Sequence, residues 1–293
     1  MLSKFFKFIL FNLLFLLSFV TLFAIFVRFA ILNTSFYTYS FNKNGVYENL
    51  AKGIKNAATD ALTQQFSKTE NYSSMTIDER QEVEKQVESF TSFINKDAVK
   101  DFLEVNIANI TSYLNNKADI LYIYLPIGKW GLPGETTNNI PQYLKDTNID
   151  TRDILKNTKR DSAENLIFLE NLKYSSKYVD YAITVGVVSE IIFVFFYLLV
   201  SKKGTRYQSL GKLFSLLGVL TLILSWMSYT ASKIVTEGLA YKTNWSEIVS
   251  GTLLPIFLQP LIIVFTIFGL VALVIGIVLY NKTGKNQLVN EAK

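Results

Sequence analysis

The sequence contains no cysteine and no histidine among its 293 residues. Without cysteine there is no disulfide to staple a domain, no thiolate chemistry and no Cys-ligated metal. Without histidine, imidazole triads, His metal sites and imidazole proton shuttles fall away. Enzyme signatures are missing too: the chain has no Walker A loop, no GxSxG and no HExxH. No pair of aspartates lies in its apolar runs, which argues against an intramembrane aspartyl protease. Most of its carboxylates fall on polar helix faces such as Glu79 to Glu88, where a solvated surface accounts for them. We therefore expect no catalytic residue, no cofactor and no metal, and a protein that is not an enzyme.

What the sequence does have is hydrophobicity in blocks. Half of its residues are hydrophobic. They concentrate in Phe8 to Val27, Tyr181 to Val200, Leu213 to Tyr229 and Leu261 to Tyr280. In the first run the polar interruptions are Asn12, Ser18 and Thr21. Each run is close to the ~20 residues that a helix needs to cross a ~30 Å hydrocarbon core. The expected fold class is an all-α integral membrane protein, with four transmembrane helices and a mostly helical extracytoplasmic domain containing one short extended segment.

Charge placement orients these spans. A net charge of +5, taken alone, suggests a nucleic-acid binder. The segment Asn33 to Tyr178, however, carries 17 Lys/Arg against 19 Asp/Glu. Lys4, Lys7, Lys202, Lys203, Arg206, Lys212, Lys282, Lys285 and Lys293 are opposed by Glu291 alone in the segments on the other side. By the positive-inside rule both termini and the loop at 201–210 face the cytoplasm, at the plasma membrane. The basicity is thus a topology signal, and nucleic acid is not an expected partner. The expected order is a cytoplasmic N-terminus and first span over 1–32, an extracytoplasmic domain over 33–178, and spans over 179–200, 211–230 and 259–280. A cytoplasmic loop at 201–210, an outer loop at 231–258 and a cytoplasmic tail at 281–293 complete it. The first run exceeds the ~7–15 residues of a signal-peptide h-region, so it reads as an uncleaved anchor.

Within 33–178, three stretches have apolar positions at helical spacing. Val46 to Phe66 follows an Asn44-Gly45 turn signal and carries Leu50, Ile54, Ala57, Ala58 and Leu62. Thr76 to Ile94 opens on a capping-box pattern, Thr76-Ile77-Asp78-Glu79, and carries Val83, Val87, Phe90 and Ile94. Asp97 to Asn116 carries Val99, Leu103, Ile107, Ile110 and Leu114. These stripes predict the core of a small helical bundle. Ile120 to Ile127 is β-branched and aromatic with Pro126 inside, and predicts an extended segment or edge strand. Lys129 to Pro141 reads as an irregular loop that includes Trp130. Ala163 to Tyr178 predicts a helix running unbroken into the second span. Asn-x-Ser/Thr triplets, such as those at Asn33, Asn71, Asn109 and Asn244, occur at about the number that composition alone predicts, and do not argue for glycosylation.

Three features could carry function. Glu190 lies near the centre of the second span, where a carboxylate costs ~2.5–3.5 kcal/mol or more on insertion scales. It must face the bundle interior, find a partner or be protonated. Ser225, Ser228 and Tyr229 on the third span could donate to it, which makes Glu190, Ser225 and Ser228 a candidate intramembrane polar site. It is either an ion- or proton-coupled group or a structural hydrogen bond between helices. Arg28 and Asp180 fall at similar depth at the outer ends of the first two spans, and are a candidate ion pair; snorkelling of Arg28 to the headgroups is the simpler reading. Pro255 and Pro260 precede the fourth run, suggesting a kink or a short interfacial helix. Gly269 and Gly276, seven apart, would permit close helix approach.

The layout is similar to that of ABC permeases with a large outer domain between the first two of four helices. It departs from them in its seven-residue N-terminal flank and in a 201–209 loop too short for a coupling helix. It is also similar to four-span lipoprotein transacylases, which need a catalytic histidine that this chain lacks. More closely, the N-terminal anchor followed by Phe36-Tyr37, then Gly45-Val46-Tyr47, then Asn95-Lys96-Asp97-Ala98-Val99-Lys100-Asp101-Phe102-Leu103, resembles bacterial four-transmembrane envelope proteins with an outer helical domain. That resemblance spans residues 1–127 and implies a bacterial origin without an activity. The expected function is a non-catalytic envelope protein that presents its outer domain as scaffold, adhesin or accessory subunit. The alternative is a transport or channel component using Glu190. Expected partners are the lipid bilayer and either another protein or a second copy of the chain.

Overall fold

The computed structural model describes residues 2–67, 75–126, 148–157, 162–202, 205–239 and 253–291. In chain order its elements are α1 (Leu2–Phe26), a π-helical turn (Val27–Ile31), α2 (Thr34–Lys43), α3 (Val46–Ser67), α4 (Ile77–Thr91), α5 (Lys96–Leu114), β1 (Tyr122–Tyr124) and β2 (Asn148–Asp150). They continue with α6 (Thr151–Asn157), α7 (Ser162–Leu172), α8 (Ser175–Val200), α9 (Arg206–Leu239) and α10 (Leu254–Glu291). These form two compact units. A membrane unit comprises Met1–Ile31, Ser176–Val235 and Pro255–Lys293; an inter-span unit comprises Leu32–Ser175 and Thr236–Leu254.

Among the described residues, four helices are long and apolar enough to cross a membrane: Phe5–Ile31, Ser175–Val200, Arg206–Ile234 and Leu254–Lys282. The chain is a helical multi-pass membrane protein. Its third and fourth helices outrun the apolar stretches seen in the sequence. α9 starts at Arg206 within the expected 201–210 loop and ends at Leu239 within the expected 231–258 loop. α10 runs through both Pro255 and Pro260 as one helix from Leu254. Membrane helices tolerate proline because local adjustment re-satisfies the freed carbonyl.

The spans pack through small residues and aromatic rings. Leu14 of α1 and Leu213 and Leu217 of α9 form a buried cluster, joined by Phe11, Phe15, Phe193 and Tyr197. Phe19 of α1 stacks on Phe265 of α10 with ring centroids 5.6 Å apart. The glycines of α9 and α10 face one another in antiparallel register. A Cβ on Gly211 would sit 2.7 Å from the Gly276 carbonyl oxygen, and one on Gly218 2.6 Å from that of Gly269. Seven residues further along α9, Ser225 donates to the Ile262 carbonyl at 3.1 Å. Positions 211, 218 and 225 thus oppose 276, 269 and 262 at heptad spacing, and the two glycine pairs let the backbones touch.

The inter-span unit is built on α3, α4 and α5. Asn33 caps α2 by accepting from the Ser35 N–H, and Gly45, at φ +63°, supplies the left-handed turn into α3. The Thr76/Glu79 capping box starts α4, with the Glu79 carboxylate accepting from the Thr76 N–H at 2.7 Å. Val46, Tyr47, Leu50, Ala51, Val87 and Val99 are buried between these helices. Tyr37, Phe41 and Tyr47 meet edge to face. The extended segment expected at 120–127 contributes β1, paired antiparallel to β2 with Ile123 opposite Ile149. Asn106 of α5 grips that ribbon. Its Oδ1 accepts from the Tyr124 N–H at 2.8 Å and its Nδ2 donates to the Tyr124 carbonyl at 2.9 Å. The expected unbroken helix from 163 into the second span is instead interrupted by a turn at Lys173 and Tyr174, between α7 and α8. The loop with Trp130, residues 240–252 of the 231–258 loop, and Asn71 and Asn244 lie outside the described residues.

Tyr47 yields a pH prediction. It is almost fully buried, and its hydroxyl donates to Glu104 at 2.8 Å. Burial, then the hydrogen bond and negative charge of Glu104, push its phenol well above the ordinary value of 10.0. An unfolded phenol ionises near ~10. The contribution of Tyr47 to stability is therefore full below about pH 10 and is lost as pH rises past it. In thermal unfolding scans, Tyr47→Phe flattens this alkaline decline while costing about 1 kcal/mol at neutral pH through the lost hydrogen bond.

Candidate functional site

Glu190 lies on α8, and its surroundings are set by the glycine one turn earlier. Gly186 is buried, and a Cβ there would collide with the Thr21 side chain of α1. Glycine thus lets α8 approach α1 closely at the level of the carboxyl group. The hydroxyls within reach of that carboxyl are those of Thr21 and Ser18, three residues apart on one face of α1. Both residues are buried. Thr21 Oγ1 donates to the Leu17 carbonyl at 2.9 Å. Glu190 Oε1 is buried with no hydrogen-bond partner, a state it shares among the described side chains with Arg206 Nε.

The serines that the sequence suggested for Glu190 do not bond it. Ser225 Oγ is 2.7 Å from Thr266 Oγ1 and donates to Ile262, so it ties α9 to α10. Ser228 is half-buried on the same helix. The physical reason is the glycine heptad: it turns this face of α9 toward α10, while Gly186 turns Glu190 toward α1. Ser18 and Thr21 were legible as polar interruptions of the first run. The missing signal was which helix they meet, and Gly186 four residues before Glu190 could have supplied it.

The structure brings Arg28 and Asp180 together. Arg28 Nε donates to Asp180 Oδ1 at 2.8 Å, with both side chains partly exposed. Ten residues separate Asp180 from Glu190 on α8, about 15 Å along a helix, so the two polar sites are distinct. An exposed pair of this kind contributes about 0–1 kcal/mol.

Chemically, the Glu190 site is one carboxyl and two hydroxyls between two spans. No group of three or more His, Cys, Asp or Glu that could hold a metal ion occurs among the described residues. In the inter-span unit, the carboxylates with partners serve the fold. Glu104 takes Tyr47, Asp101 accepts from the Tyr124 hydroxyl at 2.9 Å, and Asp119 pairs with Lys173 at 2.5 Å. The Lys173 ammonium beside Asp119 holds that carboxyl below its ordinary value. The chain matches no protein-family model, no curated protein and no solved structure.

Proposed function

We propose that this chain is a bacterial plasma-membrane protein that acts without catalysis, presenting its inter-span unit on the outer face to a protein partner or a second copy of itself. The carrying observation is the segregation of charge: the flanks at both ends and around 201–210 are basic, whereas the segment 33–178 is nearly balanced. Membrane-bound chains with basic flanks keep those flanks in the cytoplasm, which puts the inter-span unit outside. The folded mass of the inter-span unit is then on the outer side. Engagement of Glu104, Asp101 and Asp119 in internal bonds supports a binding role over an enzymatic one. The second span also offers a surface for association. It is the least covered of the four, with 6% of its central window buried. Val185, Val188, Ile191 and Ile192 are exposed along it. Cross-linking in native membranes followed by mild solubilisation should recover the chain in a defined complex; recovery of a lone monomer alone would contradict this reading.

A second reading, transport or channel activity through Glu190, is favoured by the unpartnered Oε1 inside a span. It requires Glu190→Gln to abolish flux in reconstituted vesicles, and absence of wild-type flux removes it. Under the first reading Glu190→Gln leaves the stability within about 0.5 kcal/mol of wild type, because an amide keeps the shape of the side chain and can donate to the nearby Ser18 and Thr21 hydroxyls.

A further inference from the structure

The apolar stripes of α3 and α5 do not close completely on one another. They wall a cavity of about 470 Å³ within the inter-span unit. Its walls include Leu50 and Ile54 of α3, Ala98 and Phe102 of α5, Leu125 after β1, and Leu253 before α10. None of its described lining residues has a polar side chain. A space of this size lies within the ~300–1,000 Å³ of ligand sites. Water is a poor occupant, since it needs two to four polar partners and this lining provides none from its side chains. A polar ligand would likewise lose its hydration without replacement. The lining suits a flexible hydrocarbon chain, which needs only dispersion contacts and removal from water.

The source of such a chain follows from connectivity. Leu253 lies one residue before the helix that carries the fourth span, Leu254–Lys282. That span exposes Ile263, Ile267, Leu270 and Val271, as a lipid-facing helix does. One wall of the cavity is therefore adjacent in sequence to a span whose exposed apolar side chains suit bilayer lipid. We propose that the cavity takes an acyl chain of a membrane phospholipid, making the inter-span unit a lipid-binding module. This goes beyond the presenting role above and is independent of which face of the membrane the unit occupies.

The test uses the full chain in phosphatidylcholine–phosphatidylglycerol vesicles containing phosphatidylcholine with a diazirine near one acyl terminus. After photolysis, adducts are mapped by mass spectrometry. Adducts are expected in the 93–103 segment as well as on the four spans. Ala98→Trp, which fills the cavity with an indole, should lower the 93–103 adducts about tenfold while leaving the span adducts unchanged. If Ala98→Trp falls short of wild-type helicity, Ile54→Phe carries the same comparison. Adducts confined to the spans, or undiminished by either filling variant, would overturn the proposal. So would labelling by free diazirine-palmitate but not by the phospholipid probe, which would reassign the source. Photo-leucine at position 103 that cross-links only to residues of the same chain would also overturn it, by showing that the protein fills the cavity itself.

Discussion

Gly218→Leu separates the third and fourth spans and lowers the stability of the membrane unit by about 3 kcal/mol, the upper range for overpacking a tight interface. The reason is that the space beside Gly218 is occupied by backbone. A Cβ there would lie 2.6 Å from the Gly269 carbonyl oxygen and the Leu273 nitrogen, and 3.0 Å from the Leu273 Cα. A side chain could rotate away from such an intruder, but these atoms move only if the whole of α10 moves. Helix separation would then weaken the register at Gly211 and Gly276, and lengthen the Ser225 to Ile262 hydrogen bond. Unfolding in mixed micelles measures the loss. Gly218→Ala should show the same sign with a smaller size. The combination with Gly269→Ala should be non-additive, since each added Cβ meets the other residue's carbonyl oxygen across the same helix contact. Leu216→Ile, on an exposed position of the same helix, should stay within about 0.5 kcal/mol of wild type.

Asn106→Leu is the corresponding substitution for the inter-span unit, with an expected cost of about 3 kcal/mol. The side chain is close in shape, so the loss is polar. Asn106 is buried, accepts from the Tyr124 N–H at 2.8 Å, and donates to the Tyr124 and Phe102 carbonyls at 2.9 and 2.7 Å. Leucine leaves a buried donor and acceptor of Tyr124 unpaired, each worth about 1–3 kcal/mol. A two-stranded ribbon has little stability of its own. Hydrogen exchange at the amides of 122–124 should therefore accelerate about a hundredfold, while the amides of α8 keep their protection. Asn106→Asp retains an acceptor for the Tyr124 N–H but no donor, and should fall between wild type and leucine.

These two positions also mark where sequence reasoning reached its limit. The spans were legible because an apolar run of ~20 residues matches a bilayer crossing and exceeds the ~10–14 of a buried core helix. The α4 start was legible because a capping box is a local, reciprocal bond between Thr76 and Glu79. On α5 the helical period placed Ile110 in the core, yet it is 44% exposed, while Asn106 and Thr111 are buried. Those polar residues face partners far along the chain, the Tyr124 backbone and Thr34, and no local pattern encodes such pairings. β2 at Asn148–Asp150 is similarly short and polar, and is a strand through its pairing with β1. α2 has aromatic residues without a clear period, so its helix was not legible. At the Glu190 site the acid was conspicuous, and its neighbours Ser18 and Thr21 became identifiable once Gly186 showed which helices touch.

The orientation of the inter-span unit underlies the functional account, and the absence of cysteine makes it directly measurable, because no background thiol needs removing. Single cysteines replace Glu84, exposed on α4, and Lys202, exposed between α8 and α9. Intact cells are then treated with a membrane-impermeant maleimide. The account predicts that Glu84→Cys reacts in intact cells, whereas Lys202→Cys reacts only after permeabilisation. Labelling of Lys202→Cys in intact cells with protection of Glu84→Cys would contradict it.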